Sequence, residues 1–187
     1  MPHVLFFTMI ALWVLVDMYV AFFKRAKQQK QILEKKSKYV IVGGIIVGMS
    51  FGPLFSLSFR DGFLESFNFI RWIGLLILAA GIIIRVIAIY QLGGQFSDHI
   101  IANQKEDVYK KGLYAFIRHP SYFGEMMIFI GVGLVYHHLL SSLVASVVPT
   151  LSFMYRIHHE EKVLIQVYQD VYKDYMKQTK KIIPFIY

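Results

Sequence analysis

Five apolar stretches recur along the chain between polar segments, and their lengths predict helices that cross a membrane. They cover residues 4–23, 39–59, 72–90, 121–140 and 141–155. The first four each contain roughly 20 residues, which is the length needed to span the hydrocarbon core of a bilayer. The fifth is shorter and contains Pro149, so we expect it to form a tight helical hairpin with the fourth.

The pattern then changes to that of an amphipathic helix over residues 156–180. Apolar and aromatic side chains recur every three or four positions between charged ones, at Leu164, Val167, Tyr168, Val171, Tyr172 and Tyr175. Such a helix lies on a membrane surface or covers a neighbouring loop. The prediction is an all-α integral membrane protein with about five transmembrane helices and a C-terminal amphipathic helix. We expect an N-terminal membrane region at 1–90 and a core that carries the chemistry at 91–187.

The composition agrees with a membrane protein. Hydrophobic residues make up 56% of the 187 positions and charged residues 17%, against about 45–50% apolar residues in soluble domains. The formal net charge of +8 comes from basic residues that flank the apolar stretches, so it indicates topology and not nucleic-acid binding. The densest basic run, 24–38, has seven Lys or Arg and one Glu. We therefore place it, and the polar clusters 91–120 and 156–187, in the cytoplasm.

Side chains inside the apolar stretches predict helix contacts and polar sites. Glycines spaced by four or seven residues indicate faces where helices approach closely, at Gly44, Gly48, Gly52, Gly74, Gly81, Gly124 and Gly131. Asp17 is expected at the interface, with a buried partner as the alternative, and Arg85 either reaches the interface or points into a polar cavity. Pro53 is expected to kink or end the second helix. His137 and His138 are expected to form a solvated outer turn. The chain has no cysteine, and no metal site is predicted.

The first candidate site surrounds Pro120. Arg118, His119, Ser121 and Tyr122 adjoin this proline, which is preferred in the first turn of a helix. We therefore expect the fourth helix to begin here, with unpaired N–H groups and a dipole that attract an anion. The residues by themselves favour an interfacial anchor over an anion site.

The second candidate site holds Arg156 and Glu160, which are four residues apart and so share one helix face. An exposed ion pair explains this spacing. If the face turns inward, Glu160 would bind a cofactor ammonium or hydroxyl group, and Arg156 would bind a substrate carboxylate through two hydrogen bonds. The residues alone leave both interpretations open.

Together the two sites resemble the isoprenylcysteine carboxyl methyltransferase family. The shared pattern is Gly-Leu-Tyr-(x)3-Arg-His-Pro-Ser-Tyr-x-Gly, an apolar hairpin, Arg-(x)3-Glu-Glu-(x)2-Leu, then Tyr-x-x-Tyr and a near-terminal Ile-Pro. It runs from about Gln95 to the C-terminus, while the first three stretches match only in hydropathy. The resemblance implies transfer of a methyl group from S-adenosyl-L-methionine to the carboxylate of a prenylated cysteine, with no metal. The cofactor would enter from the cytoplasm and the lipid-like substrate from the bilayer.

The resemblance also implies roles for individual residues. Arg156 would contact the substrate and, with Glu160, act in catalysis. The implied cofactor contacts are Glu106, Asp107, Val108, Tyr109, Tyr114, His119, Pro120, Ser121, Tyr122 and Glu160. At 106–108 the sequence departs from the family, which commonly has His-Leu-Val where this chain has Glu106, Asp107 and Val108.

Two other functions stay open on the sequence. One is N-methylation of a phospholipid or other lipid amine, for which His119 or Glu160 would remove the proton. The other is a membrane scaffold or lipid-binding protein without activity. In each case the expected partners are membrane lipids and a lipid-like or prenylated ligand.

Overall fold

The structure is a computed structural model that describes residues 2–24, 36–58, 69–96 and 108–183. These ranges are helical except for short connections and turns. The helices are α1 (Pro2–Tyr19, extended by a π-helical turn at Val20–Lys24), α2 (Lys36–Ser58), α3 (Phe69–Leu92), α4 (Pro120–Tyr136), α5 (Leu139–Tyr168) and α6 (Asp170–Gln178). Two 3-10 turns lie at Gly93–Gln95 and Gly112–Ala115.

The lengths of the helices fit a membrane protein. Four segments are long and apolar enough to cross a bilayer, at Pro2–Phe22, Lys36–Leu54, Phe69–Leu92 and Leu139–Tyr168. Helix α4 is also apolar but has 17 residues. The predicted all-α membrane fold, with five apolar helices and an amphipathic helix near the C-terminus, is confirmed.

Glycines allow the closest contacts between helices. A Cβ atom on Gly81 of α3 would lie 2.7 Å from the carbonyl oxygen of Gly124 in α4, and one on Gly131 would lie 2.6 Å from that of Gly74. Helices α3 and α4 therefore touch backbone to backbone. A Cβ atom on Gly48 of α2 would lie 2.8 Å from Cγ of Pro149 in α5. The glycine face of α2 thus packs inside the chain.

Helix α5 differs from the prediction of a short span followed by a separate helix that begins at Arg156. It runs for 30 residues, from Leu139 through Arg156 to Tyr168, and ends where Gln169 adopts a φ of 49°. Hydropathy falls at Arg156 because the surroundings of the helix change there. The helix itself does not end, because its backbone hydrogen bonds continue past this residue. Both prolines lie inside helices, Pro149 in α5 and Pro53 in α2, which continues to Ser58, so Pro53 does not end its helix.

The prediction of a solvated outer turn at His137 and His138 is wrong. Both side chains are buried. His137 ends α4 with a φ of 59°, and Nδ1 of His138 accepts a hydrogen bond of 3.3 Å from the backbone N–H of Ser141 at the start of α5. A connection this short leaves the helix ends inside the bundle, so the His138 ring satisfies a backbone group at the start of α5.

We expect Gly81→Ala to destabilise the bundle, because the added methyl group meets backbone atoms of α4 that cannot move away independently. Overpacking of this kind costs about 1–3 kcal/mol. Gly43→Ala is the matched control, since a Cβ atom there has no atom within 4 Å. Thermal unfolding in detergent should show a lower midpoint for Gly81→Ala only; equal midpoints would contradict the close helix contact.

Candidate active site

A cavity of about 320 Å³ lies among α1, α2, α3, α4 and α5. Both polar clusters of the sequence contribute to it. Its polar lining is Asp17, Lys38, Arg85, Tyr114, Arg118, His119, Ser121, Tyr122, Glu125, Arg156 and Glu160. Its apolar lining includes Val20, Ile41, Val42, Ile45, Phe153 and Leu164. One cavity therefore offers charged groups and a hydrophobic wall together.

Tyr122, Arg156 and Glu160 form the centre of this cavity. The Tyr122 hydroxyl donates a hydrogen bond of 2.8 Å to Oε2 of Glu160, and Nε of Arg156 donates one of 3.2 Å to the Tyr122 hydroxyl. The start of α4 and the middle of α5 thus meet, although 38 residues separate Tyr122 from Glu160. The helix face that carries Arg156 and Glu160 therefore turns inward, which is one of the two alternatives that the sequence left open.

The Arg156 guanidinium contacts two hydroxyl groups and a carboxylate. Its side chain is 2% exposed, and it donates a hydrogen bond of 2.7 Å to Oγ of Ser37 in α2. Its ion pair to Oε2 of Glu160 is 3.9 Å long, at the outer limit of such contacts. A guanidinium in a cavity can bind a carboxylate ligand through two hydrogen bonds.

The start of α4 is fixed by the C-terminal segment. The backbone N–H groups of Arg118 and His119 donate hydrogen bonds of 2.9 and 3.2 Å to the carbonyls of Lys180 and Lys181. His119 precedes the helix and Pro120 is its first residue, as predicted. Because the N–H groups of Arg118 and His119 have backbone partners, the anion site expected here is smaller than the sequence indicated.

A buried Glu161 joins the same two parts of the chain. Its Oε1 lies 2.8 Å from Nε of Arg118 and 3.4 Å from Nε2 of His119, and its Oε2 lies 3.2 Å from Nζ of Lys181. Arg118 also donates a hydrogen bond of 2.6 Å to the carbonyl of Thr179. Arg118 therefore anchors the C-terminal segment, a role that its place beside Pro120 did not indicate.

Tyr114 forms the wall of the cavity near α6. Its carbonyl accepts a hydrogen bond of 2.6 Å from the hydroxyl of Tyr175, and its own hydroxyl donates one of 3.4 Å to the carbonyl of Ala88. Burial raises the pKa of Tyr114 and of Tyr175, and the charge of Glu160 raises the pKa of Tyr114 further. Both phenols therefore stay protonated and act as donors.

Charged side chains also meet at a deeper level of the bundle. Arg85 in α3 lies 2.8 Å from Asp17 in α1 and 2.6 Å from Glu125 in α4, and donates a hydrogen bond of 2.9 Å to Ser121. The pairing with Arg85 is the partner that the sequence left open for Asp17, whose side chain is 34% exposed. Arg85 points into the polar cavity, which is one of the two positions considered for it.

The structure brings together six of the predicted site residues. The cavity is lined by Tyr114, His119, Ser121, Tyr122, Arg156 and Glu160. Val108 and Tyr109 are described but do not line it, although the Tyr109 ring packs edge-on against Tyr114 with centroids 5.5 Å apart. Glu106 and Asp107 lie outside the described residues. The roles of all these residues stay predictions.

Sequence reasoning did not assign four polar residues to the site: Ser37, Lys38, Glu125 and Asp17, which pairs with Arg85. Ser37 and Lys38 lie at the start of α2, next to a basic run that indicated only topology. Asp17 and Glu125 are acids within apolar stretches, which is itself a signal of function in a membrane helix. Within the described ranges, no group of three or more His, Asp or Glu side chains is placed to hold a metal ion.

Charged residues that meet in a cavity between membrane helices mark a functional site, and membrane-embedded enzymes are one class with such a site. Comparison with known proteins identifies the family. A model of the isoprenylcysteine carboxyl methyltransferase family matches residues 72–166. The probable protein-S-isoprenylcysteine O-methyltransferase of Oryza sativa subsp. indica is 30% identical over 146 residues, which cover 75% of this chain and 76% of the rice protein. The chain therefore belongs to the isoprenylcysteine carboxyl methyltransferase family.

Two further comparisons agree with this assignment. The protein-S-isoprenylcysteine O-methyltransferase of Dictyostelium discoideum is 31% identical over 119 residues, which cover 62% of this chain but only 50% of that protein. A solved structure of the eukaryotic intramembrane Ras methyltransferase of the same family superposes with a TM-score of 0.71 at 23% identity, covering 97% of this chain and 65% of that one. The predicted family is confirmed, and the solved structure shows the same fold.

We expect Glu161→Gln to release the C-terminal segment, because it leaves the buried Arg118 guanidinium without its charged partner. Breaking a buried ion pair from one side costs about 3–5 kcal/mol. Hydrogen exchange should then show loss of protection at the backbone N–H groups of Arg118 and His119. Asp174→Asn, which removes a solvent-exposed partner of Lys177, is the control and should leave this protection unchanged. Full protection in Glu161→Gln would contradict the anchoring role.

Proposed function

We propose that the protein is an S-adenosyl-L-methionine-dependent methyltransferase that esterifies the carboxylate of a prenylated cysteine or a similar lipid-like acceptor. The observation that carries this proposal is the buried Arg156, held by two hydroxyl groups at the junction of a polar and an apolar cavity wall. Membership of the family supports the same reaction.

The polar half of the cavity fits the methyl donor. The side chain of Glu160 is 25% exposed and in contact with Tyr122. It is therefore placed to accept a hydrogen bond from an ammonium group or a ribose hydroxyl of the donor. The hydroxyls of Ser121 and Tyr122 and the ring of His119 add polar contacts. When bound, the donor supplies an activated methyl group, which leaves a sulfonium for the acceptor oxygen and produces a neutral thioether. We propose that Glu106, Asp107, Val108 and Tyr109 contribute to binding of the donor, as the resemblance to the family implies.

The remaining half fits a lipid-like acceptor. Ile41, Val42 and Ile45 of α2 face Phe153 of α5 across the cavity and would pack against an apolar tail. Arg156 would orient the ionised carboxylate by bidentate hydrogen bonding. The main task of the protein is then to align two reactants and to exclude water.

The chemistry of this site supports O-methylation over methylation of a lipid amine. A carboxylate is already ionised at neutral pH and needs no general base, whereas an ammonium group must lose a proton. The two candidate bases, His119 and Glu160, already have partners. His119 lies against Glu161, and Glu160 accepts a hydrogen bond from Tyr122. Arg156 is also a group that attracts an anion and not an amine.

We propose that the cavity faces the cytoplasm. The basic run 24–38 indicates that side of the membrane, and α2, which supplies Ser37 and Lys38, begins within this run. The water-soluble methyl donor would then enter from the cytoplasm. The acceptor, and the membrane lipids that accompany it, would enter laterally from the bilayer.

The decisive experiment supplies the purified protein in detergent with donor labelled in its methyl group and a prenylated cysteine as acceptor. We expect a labelled product that releases volatile methanol in base, which is the behaviour of a methyl ester. A base-stable label in a lipid fraction would instead establish N-methylation. Failure to bind the donor in calorimetry would establish a scaffold and overturn the proposal.

We expect Arg156→Ala to lower kcat/KM for the acceptor by roughly 100-fold, since losing one partner of a buried charged contact costs about 2–5 kcal/mol. The dissociation constant of the donor should change by less than about threefold. Arg156→Lys keeps the charge but loses the bidentate geometry, so it should recover only part of the activity.

Glu160→Gln is the companion variant, and we expect it to weaken donor binding more than acceptor binding. Initial-rate kinetics with each reactant varied, together with calorimetry for the donor, separates the two effects. Near-wild-type turnover in Arg156→Ala would contradict the proposed role of the guanidinium.

A further inference from the structure

Closely packed small residues set the register between α2 and α5. A Cβ atom on Gly48 would lie 2.8 Å from Cγ of Pro149, and one on Gly52 would lie 3.3 Å from Cβ of Ala145. The residue numbers rise along α2 while they fall along α5, so the two helices run antiparallel. Small residues allow this close approach, and atoms packed so closely resist sliding of one helix along the other.

The packed face of α2 reaches Ser37, in the first turn of the helix. Ser37 precedes Gly48 by 11 residues, which is about three helical turns, so both lie on one face. Arg156 follows Pro149 by seven residues, or about two turns, and lies on the packed face of α5 for the same reason. Ser37 is fully buried, and its Oγ accepts a hydrogen bond of 2.7 Å from Nη1 of Arg156. The packing of the two helices therefore brings this hydroxyl to the guanidinium.

Two hydroxyl groups from different helices contact the Arg156 guanidinium. Nη1 donates to Ser37 of α2, and Nε donates a hydrogen bond of 3.2 Å to the hydroxyl of Tyr122 in α4. A guanidinium is planar and rigid, so contacts at two of its nitrogens fix both its plane and its direction. The protein itself therefore sets the orientation of this cation, through α2 and α4.

A hydroxyl partner orients a cation without adding a negative charge. Three arginines of the described residues line the cavity, Arg85, Arg118 and Arg156. Arg85 and Arg118 each have a carboxylate oxygen within 2.8 Å. The ion pair of Arg156 to Glu160 is longer, at 3.9 Å, and its shorter contact is to the Ser37 hydroxyl. A carboxylate in place of this hydroxyl would compete with the carboxylate of an acceptor.

Ser37 belongs to the helix that lines the apolar side of the cavity. Ile41 and Ile45 follow it on α2 by about one and two turns, and both line the cavity. The match to the family model begins at residue 72, so this helix lies outside the matched part of the chain. One helix therefore carries both an apolar wall and a partner of the Arg156 guanidinium.

We propose that Ser37 is a positioning residue that fixes the Arg156 guanidinium in the orientation needed to align the acceptor carboxylate with the methyl donor. It acts through Arg156 and does not contact the reacting atoms. The inference rests on the proposed O-methylation, in which alignment is the main task of the protein. A displacement of about 1 Å in such a site lowers the rate by up to about 100-fold, so losing the partner of an orienting group has a measurable effect on turnover.

Two substitutions of Ser37 should have opposite kinetic consequences, measured with N-acetyl-S-farnesylcysteine as acceptor. Ser37→Ala removes the hydroxyl but keeps the charge of Arg156, so kcat should fall about tenfold while KM for the acceptor changes less than about threefold. Ser37→Asp places a carboxylate against Arg156 that competes with the acceptor, so KM should rise about tenfold or more. Ser37→Thr keeps a hydroxyl and should recover most of the kcat.

Ser152→Ala is the matched control. This buried serine lies on α5 in the same helix contact, but its hydroxyl donates a hydrogen bond of 3.0 Å to the carbonyl of Val148 in its own helix. The variant should keep the wild-type kcat and KM. Unchanged kcat in Ser37→Ala, or an equal loss in Ser152→Ala, overturns the positioning role and leaves the proposed function intact. So does a further loss when Ser37→Ala is added to Arg156→Ala, because a residue that acts through Arg156 has no effect once the guanidinium is gone.

If wild type does not methylate the acceptor, the proposed function fails, and the orientation of Arg156 is tested without turnover. Protein with isotope-labelled arginine is studied by NMR, and Arg156→Lys identifies the signals of this residue. A guanidinium held by the Ser37 hydroxyl rotates slowly, so its Nη1 and Nη2 groups should give separate signals in wild type that merge in Ser37→Ala. Merged signals in wild type, or separate signals in Ser37→Ala, overturn the inference.

Discussion

Glu161 contacts Arg118, His119 and Lys181 in a part of the protein that water scarcely reaches. This carboxylate links the end of the chain to the start of α4, and α4 carries Ser121 and Tyr122 into the cavity. A buried ion pair is weak evidence for stability, since desolvation offsets much of its attraction. Its consequence here is geometric, because it fixes the position of the residues around Pro120 relative to α5.

The glycine contacts between helices and the charges in the cavity depend on each other. Because Gly81 and Gly124 let α3 and α4 touch through their backbones, Arg85 comes within hydrogen-bond distance of Ser121. Close packing also keeps water out, and electrostatic interactions are stronger in such a site. The same packing that makes the bundle compact thus increases the effect of each charged group on a bound ligand.

Helices α1 and α2 contribute side chains to a cavity whose main sequence motifs lie after residue 72. Ser37 of α2 holds Arg156, and Asp17 of α1 holds Arg85. The sequence motifs named Tyr122, Arg156 and Glu160, which meet in the cavity, because the start of α4 and the shared helix face of Arg156 and Glu160 follow from local patterns. The contributions of α1 and α2 to the cavity come from helices whose sequences matched the family only in hydropathy.

The sequence by itself determined the class of fold, the start of α4 at Pro120 and the shared face of Arg156 and Glu160. Each follows from local rules: the length of an apolar stretch, the preference of proline for a first turn, and the 3.6-residue period. Only the tertiary structure decided that His137 and His138 are buried and that Asp17 pairs with Arg85. That pair joins residues 68 positions apart, and no local pattern contains information about which helices will be neighbours.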